Sequence, residues 1–320
     1  VRHRQAARRF PWLRWLGRAI GALTAAYVGF VTVEGSRRLI RPGRRPFEPF
    51  EGHPATPGDL GLTYEDVRFT TEDGVTLSGW LVPAARETRT AVILMHGFSW
   101  NRLGELAAFV PWLATQHNVL QFDFRGHGTS GDADITLGTA EQRDVAAAVR
   151  FCEGRGLGPL ALMGVSMGAA VAIMAAPDLP VAAVVADAAY ADLSHPIGNR
   201  MRELHYPMAS LGSRLIVAAA SVRSGMRLRS PIDRVGHIAP RGLLLIGPQA
   251  DRLITHDQTL RLFEAANEPK ELYAVPEAGH GEAHAVAGQE YERRVLDFLA
   301  RHLDGGRLYT DAALTTARGS

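Results

Sequence analysis

The stretch Gly164-Val165-Ser166-Met167-Gly168 constrains this chain more than any other. The residues before it, Pro159 to Met163, read as a short buried strand, and Ala169 to Ala176 after it read as a helix that Pro177 ends. A strand that turns into a helix across Gly-x-Ser-x-Gly holds the serine on a sharp, strained turn with its hydroxyl standing clear. Glycines two residues to either side let strand and helix pack closely there. Chance supplies the bare pattern in roughly one chain in ten of this length. The flanking elements make it a candidate nucleophile elbow, and the question passes to its partners.

A serine hydroxyl is a weak nucleophile at neutral pH and needs a base, which needs an orienting acid. In a strand-elbow-helix architecture the chain order is serine, acid, histidine. Two late apolar runs, Gly242 to Ile246 and Glu271 to Val275, read as strands. Asp251 follows the first and Gly279-His280 follows the second, so both fall at the carboxyl edge of a parallel sheet, beside Ser166. Asp257 and Asp187 are the alternative acids, and His284 competes with His280 as the base. A developing oxyanion needs backbone N–H donors. Met167, at the start of the elbow helix, supplies one, and Phe98 supplies the other from the loop His96-Gly97-Phe98 after the strand Thr90 to Met95. Within that reading His96 and His127 brace loops. No cluster has metal-ligand spacing, since Cys152 stands alone and a glycine lies between His280 and His284 in a loop. No Gly-x-Gly-x-x-Gly follows a first strand, so neither a metal nor a nucleotide cofactor is expected.

The rest of the chain frames these residues. With 320 residues, 46% of them hydrophobic, one α/β domain of about 250 residues fits. Residues 1–45 hold eleven arginines against one acid, Glu34, about +10 of charge, while the whole chain carries only +2. The basic balance therefore belongs to the leader and does not point to nucleic acid. Val1 at the start reads as an alternative start codon or as a missing N-terminus. Residues 19–33 are uncharged and apolar, about 22 Å as a helix, between a signal-peptide core and a full membrane span. Leu13, Trp15 and Leu16 extend the run if Arg18 snorkels. No small-x-small cleavage site follows, so an uncleaved anchor is expected over a secreted product. The excess of arginines ahead of the run favours a cytoplasmic N-terminus and an external domain. Arg8-Arg9-Phe10 matches a twin-arginine signal poorly. Residues 46–60 read as a linker or strap, 61–303 as the domain, and 304–320 as a flexible tail. Within the domain, Glu72-Asp73-Gly74 supplies hairpin chemistry, and residues 190–235, with three methionines, break the alternation as a mostly helical insertion.

The His-Gly-Phe loop at 96–98, Asp123-Phe124-Arg125-Gly126-His127-Gly128-Thr129-Ser130, the elbow, Asp251 and Gly279-His280 together resemble the α/β-hydrolase superfamily, from about Tyr64 to Leu303. Within it the chain is similar to bacterial membrane-anchored serine hydrolases of the Bem46-like and prolyl-oligopeptidase-like groups. The resemblance implies a mostly parallel eight-stranded sheet flanked by helices, with residues 190–235 as a cap inserted after the sixth strand. It also implies that Ser166 attacks, His280 moves the proton and Asp251 orients His280. A serine at the elbow disfavours the aspartate-nucleophile branches. The expected activity is cleavage of an ester or thioester through an acyl-enzyme, with an acyl or small aromatic substrate under the cap. A peptidase or acyltransferase on the same residues, or an idle anchored binding protein, are the alternatives.

Overall fold

Eight strands form one sheet, and the number of faces each strand buries follows its place in it. They are β1 (Glu65–Thr70), β2 (Thr76–Val82), β3 (Ala91–Met95), β4 (Asn118–Phe122), β5 (Leu160–Val165), β6 (Ala183–Asp187), β7 (Gly242–Pro248) and β8 (Lys270–Val275). The order across the sheet is β1-β2-β4-β3-β5-β6-β7-β8, and only β2 runs against its neighbours. Strands β3 to β7 are buried at every position, as their continuous apolar runs require, whereas edge strand β1 alternates. The computed structural model describes residues 11–49 and 51–304. The Arg8-Arg9-Phe10 motif and all but the first residue of the tail lie outside them.

The helices are α1 (Pro11–Ile40), α2 (Leu103–Leu113), α3 (Glu141–Gly154), α4 (Met167–Ala175), α5 (Ser194–Glu203), α6 (Ala209–Ser224), α7 (His256–Ala265), α8 (Ala283–Ala287) and α9 (Gln289–Leu303). Alternate residues of β3 feed two cores. Ile93 packs with Val145 of α3 and Ala169 of α4, and Val92 and Leu94 pack with Leu106 of α2 and Val295 of α9. The sheet is thus covered on both faces. The chain leaves β3 for β4 on one side and returns to β5 on the other. A crevice therefore opens at the carboxyl ends of β3 and β5, the place where such sheets bind ligands.

The ends of two elements near the site have local causes. Strand β4 ends at Phe122 because Asp123 turns inward, where Oδ1 accepts the Arg102 N–H at 2.8 Å and Oδ2 that of Thr129 at 2.8 Å. Helix α3 begins at Glu141, whose carboxylate accepts the N–H groups of Thr136 and Gly138, both at 2.7 Å.

α1 is the long element, 30 residues or about 45 Å. Among the described residues it is the one helix long and apolar enough to cross a membrane, over Trp12–Ile40. From Trp12 to Ala26 it is exposed, and beyond that it enters the domain, with Val31, Ser36, Leu39 and Ile40 buried. A Cβ on Gly35 would meet Ile216 Cδ1 of α6 at 2.6 Å, so glycine lets the two helices touch. The Ile135 N–H then bonds the Ile40 carbonyl at 3.0 Å, and Arg44 donates to the carbonyls of His127 (2.9 Å), Gly128 (2.6 Å) and Ser130 (2.7 Å). The Arg102 guanidinium lies against the rings of both Phe47 and Trp80, at 4.3 and 4.2 Å, and the two rings touch each other at 5.9 Å. The start of the 46–60 stretch is therefore strapped to the sheet edge.

Candidate active site

Ser166 ends the turn from β5 to α4 with φ 55° and ψ −114°, a strained geometry for a residue with a side chain. Its neighbours have no room for one. A Cβ on Gly164 would lie 2.3 Å from the Gly168 carbonyl carbon, and a Cβ on Gly168 would lie 2.4 Å from the Met95 oxygen. The turn is held in place by the Ser166 N–H, which donates to the Asp187 carbonyl on β6 at 2.8 Å. The strain is thus paid by backbone contacts on both sides, and the hydroxyl faces the crevice.

The other residues arrive on two loops that bond to each other. After β7, Ala250 N–H donates to the Ala278 carbonyl at 2.9 Å, which ties the loop carrying Asp251 to the loop after β8 carrying His280. Asp251 is buried, and its Oδ1 accepts the N–H groups of Leu253 and Ile254, both at 2.8 Å. Its Oδ2 lies 2.7 Å from His280 Nδ1, and His280 Nε2 lies 3.0 Å from Ser166 Oγ. With hydrogen on Nδ1, the imidazole donates to the carboxylate and accepts from the hydroxyl. The expected serine, histidine and aspartate are brought into one hydrogen-bonded line. The competitors are engaged elsewhere. His284 Nε2 sits 3.1 Å from Glu292, Asp257 pairs with Thr255 and Gln258, and Asp187 Oδ2 accepts from the Tyr291 hydroxyl at 2.9 Å.

Phe98 and Met167 line the same cavity as Ser166 and His280. Met167 opens α4, so its N–H is among the first-turn donors that have no acceptor within the helix. Gly97 is less constrained than the elbow glycines. A Cβ there would meet Ser166 Cβ at an ordinary 3.7 Å. Behind the loop, His96 Nδ1 bonds the Gly97 carbonyl at 2.8 Å and its Nε2 accepts the Phe124 N–H at 3.1 Å. Burial, with help from the neighbouring His127 and Arg102 charges, holds its pKa well below the usual imidazole range. His127 bonds the Arg125 carbonyl at 2.8 Å. Both histidines brace the loops.

Three buried carboxyls have partners that no motif predicts. Glu105 on α2 accepts the Gly97 N–H at 3.4 Å, and among the described residues its Oε2 has no partner. Burial pushes its pKa up to about 8. Asp187 is raised to about 7, chiefly by burial, with its Tyr291 bond opposing. Asp123 with Arg102 forms a buried ion pair under the 123–130 turn. Carboxyls this deep are visible only once the sheet is assembled. Among the described residues no group of His, Cys, Asp or Glu side chains is placed to hold a metal ion.

Above Ser166 the cavity measures about 870 Å³ and is lined mainly by apolar side chains, among them Phe98, Ile197, Met201 and Leu204. That size lies at the upper end for a small-molecule site. Part of its wall is α1, through Phe30, Val31 and Leu39.

Known proteins agree with this architecture. The chain is 29% identical over 291 residues to the uncharacterized protein Rv2307c of Mycobacterium tuberculosis, spanning 89% of this chain and 93% of that one. It is 27% identical over 289 residues to the polyketide transferase grgF of Penicillium sp., spanning 76% of this chain and 98% of that one. The solved Pyrococcus furiosus esterase Pf2001 superposes with a TM-score of 0.67 at 29% identity, over 78% of this chain and 94% of that chain. A profile of the Alpha/beta hydrolase family matches residues 92–295. With its strand order, its elbow and this match, the chain belongs to the alpha/beta hydrolase family.

Proposed function

We propose that the protein is a serine hydrolase that cleaves carboxylic esters or thioesters through an acyl-enzyme. The observation that carries this is the line from Asp251 through His280 to Ser166, at 2.7 and 3.0 Å. In the first step Ser166 Oγ bonds to the acyl carbon while its proton passes to His280 Nε2. The oxyanion is received by the N–H groups of Met167 and Phe98, since the Gly97 N–H already serves Glu105. Collapse breaks the bond to the leaving alcohol or thiol, which takes the proton from His280. Water then adds to the acyl group, gives His280 a proton, and releases the acid and a restored Ser166. Asp251, anchored by two N–H bonds, keeps the imidazole in the donating tautomer and steadies its positive charge.

Likeness to the grgF transferase favours a second reading on the same residues, in which an acceptor other than water takes the acyl group. A fluorophosphonate probe tests the common core: it should label the folded protein and fail to label Ser166→Ala. Absence of labelling of the folded wild type overturns the hydrolase reading. A panel of acyl esters with and without an added alcohol acceptor separates hydrolysis from transfer.

Burial of Val31, Ser36, Leu39 and Ile40 in the domain supports a retained α1, since cleavage beyond it would strip core residues. The arginine excess ahead of the apolar run favours the N-terminus in the cytoplasm and the domain outside. Partition of the intact chain into detergent checks the anchor.

A further inference from the structure

The apolar stretch of α1 and the wall of the cavity overlap. Residues 19–33 carry no charge, and Phe30 and Val31 within them line the space above Ser166. A bilayer core of about 30 Å takes about 20 helical residues, so a span starting at Trp12 runs to about Val31. Such a span holds Arg14 and Arg18 near its N-terminal end, where long stems let the charges snorkel, and starting it later draws more of the domain inward. Either way, the bilayer covers the point where α1 meets the cap.

The cap is built for that position. The Tyr27 hydroxyl of α1 donates to the Pro207 carbonyl at 3.0 Å, which sets the 204–208 turn of the cap at the level of the uncharged run. Around that contact Leu204, Tyr206, Met208 and Leu211 are exposed, as are Phe30 and Val33 of α1. Together they form one apolar border, on the side where the helix leaves the domain. Leu204 and Tyr206 also line the cavity, so the border and the cavity share residues. Charge follows the same geography. Residues 190–235 hold seven arginines against three acids, and their helix α6 packs on α1, which belongs to the other basic region of the chain. The rest of the domain is acidic. A segment of net positive charge that carries an apolar border fits a membrane surface with anionic headgroups.

We propose that the cavity draws its substrate sideways from the bilayer, and that the substrate is a membrane-borne long-chain acyl ester. Its chain lies between α1 and the 204–208 turn, with the ester carbon over Ser166. This inference rests on the serine hydrolase reading and on α1 spanning the membrane. The exposed apolar border then faces lipid, and the route to Ser166 passes between Phe30 and Leu204.

Two measurements on the full chain test it, in vesicles of phosphatidylcholine and phosphatidylglycerol. Cys152 is buried, and burial pushes its thiol up to about 12, so an added cysteine takes a fluorophore selectively. A bimane label at Met208→Cys should be quenched by brominated lipid, as should one at Ile20→Cys within the span. Quenching at 20 without quenching at 208 puts the cap in water and overturns the proposal, and quenching at neither site overturns it as well. The second measurement is the ratio of turnover on monopalmitoylglycerol in the vesicles to turnover on soluble p-nitrophenyl acetate. Val31→Trp narrows the wall and should lower this ratio at least about tenfold. Leu204→Asp, at a site exposed enough to keep the fold, should do the same. A ratio unchanged in a Leu204→Asp protein that still takes the fluorophosphonate overturns lateral access. Loss of both turnover and labelling in the wild type overturns the hydrolase reading and the proposal with it, while the quenching result stands as a separate fact about the cap.

Discussion

The floor of the cavity and its apolar wall are built by different forces. On the floor, backbone atoms and hydrogen bonds fix every position. Gly164 and Gly168 press strand against helix, Asp251 sits on two N–H groups, and the Ala250–Ala278 bond aligns the loops of acid and base. The wall joins α1 to α6 through Gly35 against Ile216 and through buried Val31, contacts of shape without direction. A floor of this kind tolerates no added atom, because its neighbours are main chain. A wall of side chains yields and repacks. In the proposed reading the floor sets the chemistry and the wall selects the substrate.

The largest effect should come from the floor. Asp251→Asn should lower kcat by about 10³ to 10⁴-fold with an unchanged melting temperature, because the imidazole loses its orienting acceptor. Asp257→Asn should stay within about twofold of wild type, since that side chain bonds Thr255 and Gln258 instead. Equal losses in the two variants would erase the distinction between acid and helix-start residue.

Next come the two glycines that most directly oppose the regions. Gly168→Ala drives a Cβ to 2.4 Å from the Met95 oxygen, a main-chain atom that cannot move aside. Urea unfolding should show a loss of about 3 kcal/mol or more, or no folded protein. Gly35→Ala meets the end of the Ile216 side chain at 2.6 Å, which can rotate. Its loss should be nearer about 1 kcal/mol, a drop of about 2–4 °C in Tm. A larger loss at Gly35 than at Gly168 would show the wall to be the more rigid part.

The smallest effect is in pH. Burial holds Asp187 at about 7 in the folded protein, above the ordinary carboxyl value of 3.8. The folded state therefore binds the proton that the unfolded chain has released, and this group lowers stability as pH rises from about 4 to about 7. Asp187→Asn should flatten that part of the profile, with the two urea midpoint curves converging toward acid. Parallel curves would mean that Asp187 is ionised throughout.

The legible parts of the site were those written in short stretches of chain. Ser166 was marked by flanking glycines, Met167 by following it, and Asp251 and Gly279-His280 by position after apolar runs. His96 was readable as a brace because a His-Gly pair after a buried strand must hold its own loop. Glu105, the Asp187–Tyr291 bond and the Arg102–Asp123 pair were not legible, since their partners lie 8, 104 and 21 residues away and have no spacing rule. Asp187 was open as an acid until Tyr291 was seen to occupy it. α1 shows the same limit from the other side. Its apolar run was evident, but the run alone places no residue of it above Ser166.

By itself the sequence determined the alternation of buried strands and helices, the elbow, and the order in which the candidate nucleophile, acid and base appear. These follow from local steric rules and hydrophobic period, which act over a few residues. Only the tertiary structure decided which aspartate reaches His280, which carboxyls are buried, and that the membrane-length helix forms part of the cavity wall. Those outcomes depend on strand order and on helix-to-helix contact across the chain, from residue 35 to residue 216, where proximity is set by packing and not by sequence distance.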